Sequence, residues 1–404
     1  MIVRAATRDN KTVTLNLQPG SLTVAFDEQT VLAYDRAGRL WSAFFHGITF
    51  RRGLDGGMLA KWTDHGQRRR RRLWRSEASL VVNRSAALMG ELAGLAFEVP
   101  APTCQELVPL IERASRFTAP AAQEDAERFL QVYQPIGILP PDQYLALVLQ
   151  LTEGCSFNTC TFCTFYRDRA FRIKSPQEFR AHIAAVREYL GESRALRRGI
   201  FLADANALVV PQKQLVALLK VLRGEITPSP QWGEGRGAGQ PLFAFLDGFS
   251  GRKKSADDYA ELASFGLKRV YIGLESGHDP LLGWLRKPGH AADAVQAARA
   301  IKAGGVNVCI IVLLGAGGDR FGEGHVRDTI EAINAMGLGA GDLIYFSEFV
   351  PMPDQPYGQI AEWDKVGSLS VEQMCVQRRE IEAKLKFAGG PLKIATYDIR
   401  EFVY

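Results

Sequence analysis

The chain has 404 residues, 49 Lys and Arg against 44 Asp and Glu for a net charge of +5, and is 47% hydrophobic and 23% charged. Such a composition is that of an ordinary globular protein, with room for one large domain and a smaller one. It excludes a membrane span, since no apolar run approaches the roughly 20 residues that cross a bilayer, and six cysteines in so long a chain do not make a disulfide framework. Met1-Ile2-Val3-Arg4-Ala5 lacks the charged and apolar regions of a signal peptide, so the expected location is cytoplasmic.

Residues 1–75 read as short strands. Thr12 to Leu17 alternates with period two, Pro19-Gly20 turns, and Leu22 to Phe26 alternates again. Val31 to Tyr34 runs through a hairpin-type turn at Asp35 to Arg39 and returns as Leu40 to Phe44. His46 and His65 have no partner at metal-ligand spacing. Arg68-Arg69-Arg70-Arg71-Arg72 is the one concentration of charge. Five adjacent cations repel one another and point into water or toward an anion, as a solvated loop or as an RNA- or phosphate-binding patch.

From 76 to 144 the period becomes helical. Leu88, Leu92, Leu95 and Ala96 fall on one face. Leu107, Leu110 and Ile111 form another after Thr103-Cys104-Gln105-Glu106, which resembles a capping box. Residues 122–133 read as one more helix. Pro135 and Pro140-Pro141 mark a linker.

Leu145 to Leu151 reads as a buried strand, and Ser175-Pro176-Gln177-Glu178 signals a helix start. Between them lie Cys155, Cys160 and Cys163, three thiols in one loop, which close on one metal centre at small cost in chain entropy. Clustered thiolates suit zinc or iron–sulfur. Structural zinc wants four protein ligands; three are local and the nearest histidine, His182, lies within the next helix. A cubane on three cysteines leaves one iron open, and Phe157 and Phe162 supply apolar shielding. Cys104, Cys309 and Cys375 stand alone and read as small buried apolar residues.

Strand and helix then alternate. Strands fall at 200–203, 242–246, 269–274, 306–314 and 343–346; helices at 212–222, 256–265, 279–285, 291–303, 326–336 and 371–387. With 145–151 this makes six β/α units and an α/β fold around a parallel sheet, with Leu392 to Tyr397 a further edge-strand candidate. Sites in such folds form at the carboxyl ends of the strands. There stand Asp204 and Asn206, Asp247-Gly248, Gly273 to Gly277, Leu313 to Gly318 and Val350 to Pro353. Each turn alone is an ordinary strand ending; the series beside a three-cysteine loop is not. The glycine- and proline-rich stretch 227–239 reads as a mobile loop at the opposite end.

The cysteine loop resembles that of the radical S-adenosylmethionine (radical SAM) enzymes. Their usual spacing is three residues, then two; here it is four, then two, with an aromatic, Phe162, before the third cysteine. The resemblance covers about 145–355 and implies a partial (β/α)6 TIM-like barrel there; the residues themselves give a small N-terminal β-rich plus helical region before it and a C-terminal helix and edge strand over 356–404 after it. It implies a 4Fe–4S cluster on Cys155, Cys160 and Cys163, whose open iron chelates S-adenosylmethionine. Reductive cleavage then gives a 5′-deoxyadenosyl radical that abstracts hydrogen from substrate, a chemistry placed among oxidoreductases. Asp204 stands where the family often has the acidic residue of a glycine-glycine-glutamate turn whose backbone holds the methionine amino group, though the glycines are missing here. Glu275-Ser276-Gly277 is similar to the branch that includes oxygen-independent coproporphyrinogen oxidase and several tRNA-modifying enzymes. There Glu275 and Ser276 meet the ribose or the amino acid end, and Arg286 or Lys287 pairs with the carboxylate. Leu313 and Gly315 face adenine. Tyr345 is a candidate hydrogen donor or a buried structural tyrosine.

The implied partners are a small-molecule substrate and an electron donor such as flavodoxin or ferredoxin. A second cysteine triplet is missing from the sequence, which disfavours methylthiolation and auxiliary-cluster peptide chemistry. No cobalamin module precedes the barrel. The alternative reading is a zinc-stapled RNA-binding module without redox catalysis, built on the same cysteines and Arg68 to Arg72.

Overall fold

Antiparallel pairing organises the N-terminal part of the chain. In this computed structural model, which describes residues 1–6, 12–93, 97, 101–226, 240–251, 253–352, 355–390 and 392–404, eight strands follow one another in a meander: β1 (Ile2–Ala6), β2 (Thr12–Leu17), β3 (Ser21–Asp27), β4 (Thr30–Asp35), β5 (Leu40–Phe45), β6 (Ile48–Arg52), β7 (Met58–Asp64) and β8 (Gln67–Arg72). Alternation decides the buried face. Leu15 pairs with Val24, and Val24 with Leu32. These side chains pack with Tyr34, Met89 and Leu110 in one apolar core. The covering helices are α1 (Arg75–Leu92), α2 (Ala101–Arg116) and α3 (Ala119–Val132).

Two expectations are corrected here. The arginine run is the last strand of the sheet, not a loop. Arg69 lies 3.8 Å from Asp64, Arg70 3.2 Å from Glu401 and Arg71 2.7 Å from Glu77, and Arg72 donates to the Phe402 carbonyl at 2.8 Å. Carboxylates on neighbouring segments relieve the repulsion, and a charged outer strand discourages pairing with another chain. Helix α2 begins at Ala101, so Thr103 does not cap it; its hydroxyl instead reaches the Met1 sulfur at 3.0 Å. Leu95 and Ala96 lie outside the described residues, as does the stretch 227–239.

The rest of the chain builds a parallel sheet. Its elements are β9 (Leu147–Gln150), the short pair β10 (Thr152–Glu153) and β11 (Arg172–Ile173), α4 (Pro176–Leu190), β12 (Ile200–Ala203), α5 (Gln212–Glu225), β13 (Leu242–Asp247), α6 (Gly248–Gly251), α7 (Ala256–Ser264), β14 (Leu267–Glu275), α8 (Asp279–Trp284), α9 (Ala291–Ala303), β15 (Asn307–Leu314), α10 (Gly318–Ala335), β16 (Leu343–Glu348), α11 (Pro356–Trp363), α12 (Val371–Lys384) and β17 (Lys393–Thr396). Seven strands run in the order β17-β16-β15-β14-β13-β12-β9, each joined to the next through helices as parallel strands require. The fold is α/β with a β-rich N-terminal region. β17 adds in parallel to β16. α10 starts eight residues before the expected 326, directly after Gly315–Gly317, because Gly317 (φ 75°) turns the chain into the helix.

The chain forms two compact units: Met1–Leu147 with Ala184–Arg198 and Arg400–Tyr404, and Val148–Ile183 with Gly199–Ile399. The sequence reading assigns 184–198 to the barrel and 400–404 to a C-terminal segment. Both join the first unit because buried Arg39 donates to the carbonyls of Tyr189 and Leu190 and to Ser193, while Lys61 and Arg70 pair with Glu401. Among the described residues no helix is long and apolar enough to cross a membrane.

Candidate cluster and cosubstrate site

The cysteine loop is closed at its base before any metal is considered. Thr152 pairs with Ile173 and Glu153 with Arg172. Glu153 takes Arg172 Nε at 2.6 Å and also holds Lys174. Gly154 begins the loop at φ 75°, where a Cβ would meet the Ala170 carbonyl at 3.0 Å. Only glycine fits both the left-handed backbone and the close approach. Within the loop, Asn158 Nδ2 donates to Tyr166 O at 2.8 Å and Arg167 to Cys160 O at 2.9 Å. Thr161 donates to Leu285 O through its N–H (2.9 Å) and its hydroxyl (3.2 Å), and its own carbonyl accepts Tyr357 N–H at 3.1 Å. Gln355 Nε2 donates to Phe162 O at 2.6 Å.

Cys155, Cys160 and Cys163 are all half-buried free thiols. Burial pushes the Cys163 thiol up to about 12, helped by the charges of Cys160 and Cys155. Burial raises Cys160 as well, and Lys287 opposes it. The three sulfurs therefore lie within electrostatic reach of one another. Such thiols ionise when a cation replaces the proton. Among the described residues no set of three or more His, Cys, Asp or Glu closes around a single-ion position; a cubane holds its cysteines farther apart than one ion does. His182 Nε2 accepts the Gln150 N–H at 3.1 Å, which turns it to the backbone of β9.

The strand ends supply the rest. At the end of β14, Glu275 sits at φ 60° with its carboxylate 3.2 Å from Lys287 Nζ. A Cβ on Gly273 would stand 2.5 Å from Glu275 Oε1, so a larger residue at 273 displaces the carboxylate from this position. Burial works against the Lys287 ammonium, but Glu275, Cys160 and Asp247 outweigh it and hold its pKa above the usual lysine value. At the end of β13, Asp247 accepts from Ser250 N–H at 2.6 Å and from Asn206 Nδ2. Asn206 also donates to Ser156 Oγ in the cysteine loop at 3.2 Å. Its carbonyl oxygen, Oδ1, is buried and has no hydrogen-bond partner. A lone acceptor of this kind suits a donor such as an ammonium group.

Several expected contacts are corrected. Asp204 is buried, and both of its oxygens are engaged: Oδ1 by Gln150 Nε2 at 2.8 Å, Oδ2 by Gly154 N–H at 2.9 Å with Arg169 at 3.4 Å. It anchors the start of the loop. Ser276 is fully buried. Its hydroxyl accepts His278 N–H at 3.0 Å and lies 2.8 Å from His325 Nδ1, so it faces α10. Arg286 is exposed at φ 52°; its neighbour Lys287 is the cation beside Glu275. The place of a Cβ on Gly315 is filled by Met374 at 2.6 Å, and the Gly315 N–H donates to Gln377, so this glycine serves the packing of α12. Phe162 and Leu313 do come together, in one apolar cluster with Leu281, Leu285 and Tyr357. Tyr345 is buried with its ring 5.8 Å from Tyr397, a structural setting. Pro353 lies outside the described residues.

Residues 149–333 match the family described as the Radical SAM superfamily. This segment is a radical SAM domain. Members of the superfamily use a 4Fe–4S cluster with S-adenosylmethionine. The donors of the radical SAM domain here, three half-buried thiols in one loop with a largely shielded cation and an unpartnered amide oxygen, are chemically suited to both. No curated protein matches the chain. Similar solved structures include the cobalamin-dependent S-adenosylmethionine radical enzyme OxsB (14% identity, 59% of this chain and 30% of that one, TM-score 0.37). Coproporphyrinogen III oxidase (HemN) from Escherichia coli gives 14%, 63%, 54% and 0.41 in the same order. Methylornithine synthase (PylB) gives 14%, 62%, 70% and 0.38. The chain spans less than two thirds of the first two.

Proposed function

We propose that this protein is a radical SAM enzyme. Cys155, Cys160 and Cys163 hold a 4Fe–4S cluster, and S-adenosylmethionine binds at the carboxyl ends of the barrel strands. When bound, the pair supplies reductive cleavage of the sulfonium and a 5′-deoxyadenosyl radical for hydrogen abstraction. The observation that carries the reading is the three-cysteine loop following β9 and β10, with the Lys287–Glu275 pair, 3.2 Å apart, at the end of the parallel strand β14.

Each residue has a separate task. Asp204 and Glu153 fix the loop through Gly154 N–H and Lys174. Lys287 supplies the positive charge that a carboxylate needs in a partly dry site. Asn206 Oδ1 accepts from the amino group. Glu275 orients Lys287 and faces the ribose hydroxyls. Phe162 and Leu313 exclude water beside the adenine. The substrate is a small molecule and the reductant a flavodoxin- or ferredoxin-like protein, in a reducing cytoplasm where the six free cysteines stay reduced. The Glu275-Ser276-Gly277 turn puts the enzyme near the coproporphyrinogen-oxidase-like branch. RNA is the weaker partner, because four of the five arginines in the run already have partners.

Anaerobic reconstitution with iron and sulfide, followed by reduction, tests this directly. The expected result is a cluster signal and 5′-deoxyadenosine, both lost in the Cys155, Cys160 and Cys163→Ala triple variant. A fully loaded protein that forms no 5′-deoxyadenosine with any reductant overturns it.

A further inference from the structure

The first unit holds a small cavity of about 30 Å³, lined by Asp35, Arg39, Trp41, Arg51, Arg197 and Tyr144 among others. A water needs roughly 10–15 Å³ by this measure, so there is room for one small ion. The lining is rich in cations. Arg39 and Arg52 are matched: Asp125 takes Arg39 Nε at 2.6 Å and Arg52 at 3.3 Å. Arg51 and Arg197 are not; among the described residues neither forms an ion pair. Their guanidinium groups lie instead over aromatic faces, Arg51 5.6 Å from the Tyr144 ring and Arg197 5.2 Å from the Tyr404 ring. Arg197 is more than nine-tenths buried, and its Nε has no hydrogen-bond partner; neither has Trp41 Nε1. Both atoms only donate. The one acidic side chain in the lining, Asp35, accepts the Ala37 and Arg39 N–H groups at Oδ1, at 3.0 Å each, and its Oδ2 lies 3.8 Å from an Arg39 nitrogen.

Two buried donors beside unmatched guanidinium charge favour an acceptor that carries negative charge over a neutral water, which satisfies donors but leaves the charge unmatched. A monovalent acceptor-only ion satisfies both orphan donors and offsets the unmatched charge in one step. We propose that this cavity is a structural binding site for a small monovalent anion of the halide class, held by Trp41 Nε1, Arg197 and Arg51. It is independent of the cluster chemistry.

Thermal unfolding in sodium chloride or bromide against sodium gluconate at equal ionic strength tests the site. The expected result is a saturable rise of the midpoint by several degrees with halide only. Trp41→Phe, which keeps the ring and removes the donor, and Arg197→Met lose most of that rise. Should Arg197→Met fail to fold, a bromide-soaked crystal of the unaltered protein decides: an anomalous peak bonded to Trp41 Nε1 and Arg197 supports the site. Equal midpoints in halide and gluconate, a full halide response in Trp41→Phe, or no anomalous scatterer in the cavity overturns it.

Discussion

Lys287 Nζ and Glu275 Oε1 stand 3.2 Å apart, and a Cβ on Gly273 would stand 2.5 Å from that same carboxylate oxygen. Glu275 reaches the contact from a left-handed backbone (φ 60°), a conformation that costs a non-glycine residue of order 1 kcal/mol or more. Strain at a strand end beside three thiols marks a position set by the site.

The first prediction concerns the cation. Lys287 is largely shielded from water, and removing it leaves the Glu275 carboxylate without its cation. Lys287→Met is expected to weaken S-adenosylmethionine binding to the reconstituted protein by about tenfold or more, the worth of a hydrogen bond to a charged group, while Arg286→Met changes it little. Equilibrium binding and 5′-deoxyadenosine yield measure both. Unchanged affinity in Lys287→Met removes this lysine from the cosubstrate site.

Gly273→Ala tests the space between the two. The added methyl falls within 2.5 Å of Glu275 Oε1 and 3.5 Å of Lys287 Nζ. The Glu275 side chain must move, so cosubstrate affinity drops by about tenfold or more, with a stability loss of about 1–3 kcal/mol from overpacking. A variant less stable yet equal in affinity shows that the pair is only structural.

His325 predicts an acid limb in the stability profile. Burial, then the nearby charge of His278, lowers its pKa to about 4, against roughly 6.5 in an unfolded chain. The folded state thus prefers the neutral ring. The contribution is present in full above about pH 6.5 and is lost as pH falls toward 4, because the unfolded chain binds the extra proton first. It amounts to at most about 3 kcal/mol. Urea unfolding between these pH values measures the slope, and His325→Gln flattens it. An unaltered slope in that variant assigns the acid limb to other groups.

Asp125 carries the buried charge network of the first unit, accepting from Arg39 at 2.6 Å and from Arg52 at 3.3 Å. Asp125→Ala strands two guanidinium groups and is expected to destabilise that unit by about 3–5 kcal/mol. Hydrogen exchange follows the loss: amides of β5 and β6 exchange early while those of β14 and β15 keep their protection.

The sheet and the cysteine loop were legible because apolar period and thiol spacing are local signals. The arginine strand β8 was not, since its partners Glu401 and Phe402 lie 331 and 330 residues away from Arg70 and Arg72. Charge spacing reports repulsion and is blind to distant carboxylates. The same limit separates Lys287 from Arg286: two adjacent cations differ only in which one the turn after α8 directs inward. Ser276 and Asp204 occupy promising strand ends, yet His325 and Gly154 claim their oxygens first. Asn206 stood in the quoted turn; only burial of its unpartnered oxygen singles it out.

Thr161 is gripped by Leu285 on one side and by Tyr357 on the other. Those anchors are hydrogen bonds within the protein, so the cysteine loop is braced by contacts that need no metal. Maturation then resembles filling a mould rather than gathering a loose thread, and a chain stripped of its inorganic centre is expected to accept a new one without refolding.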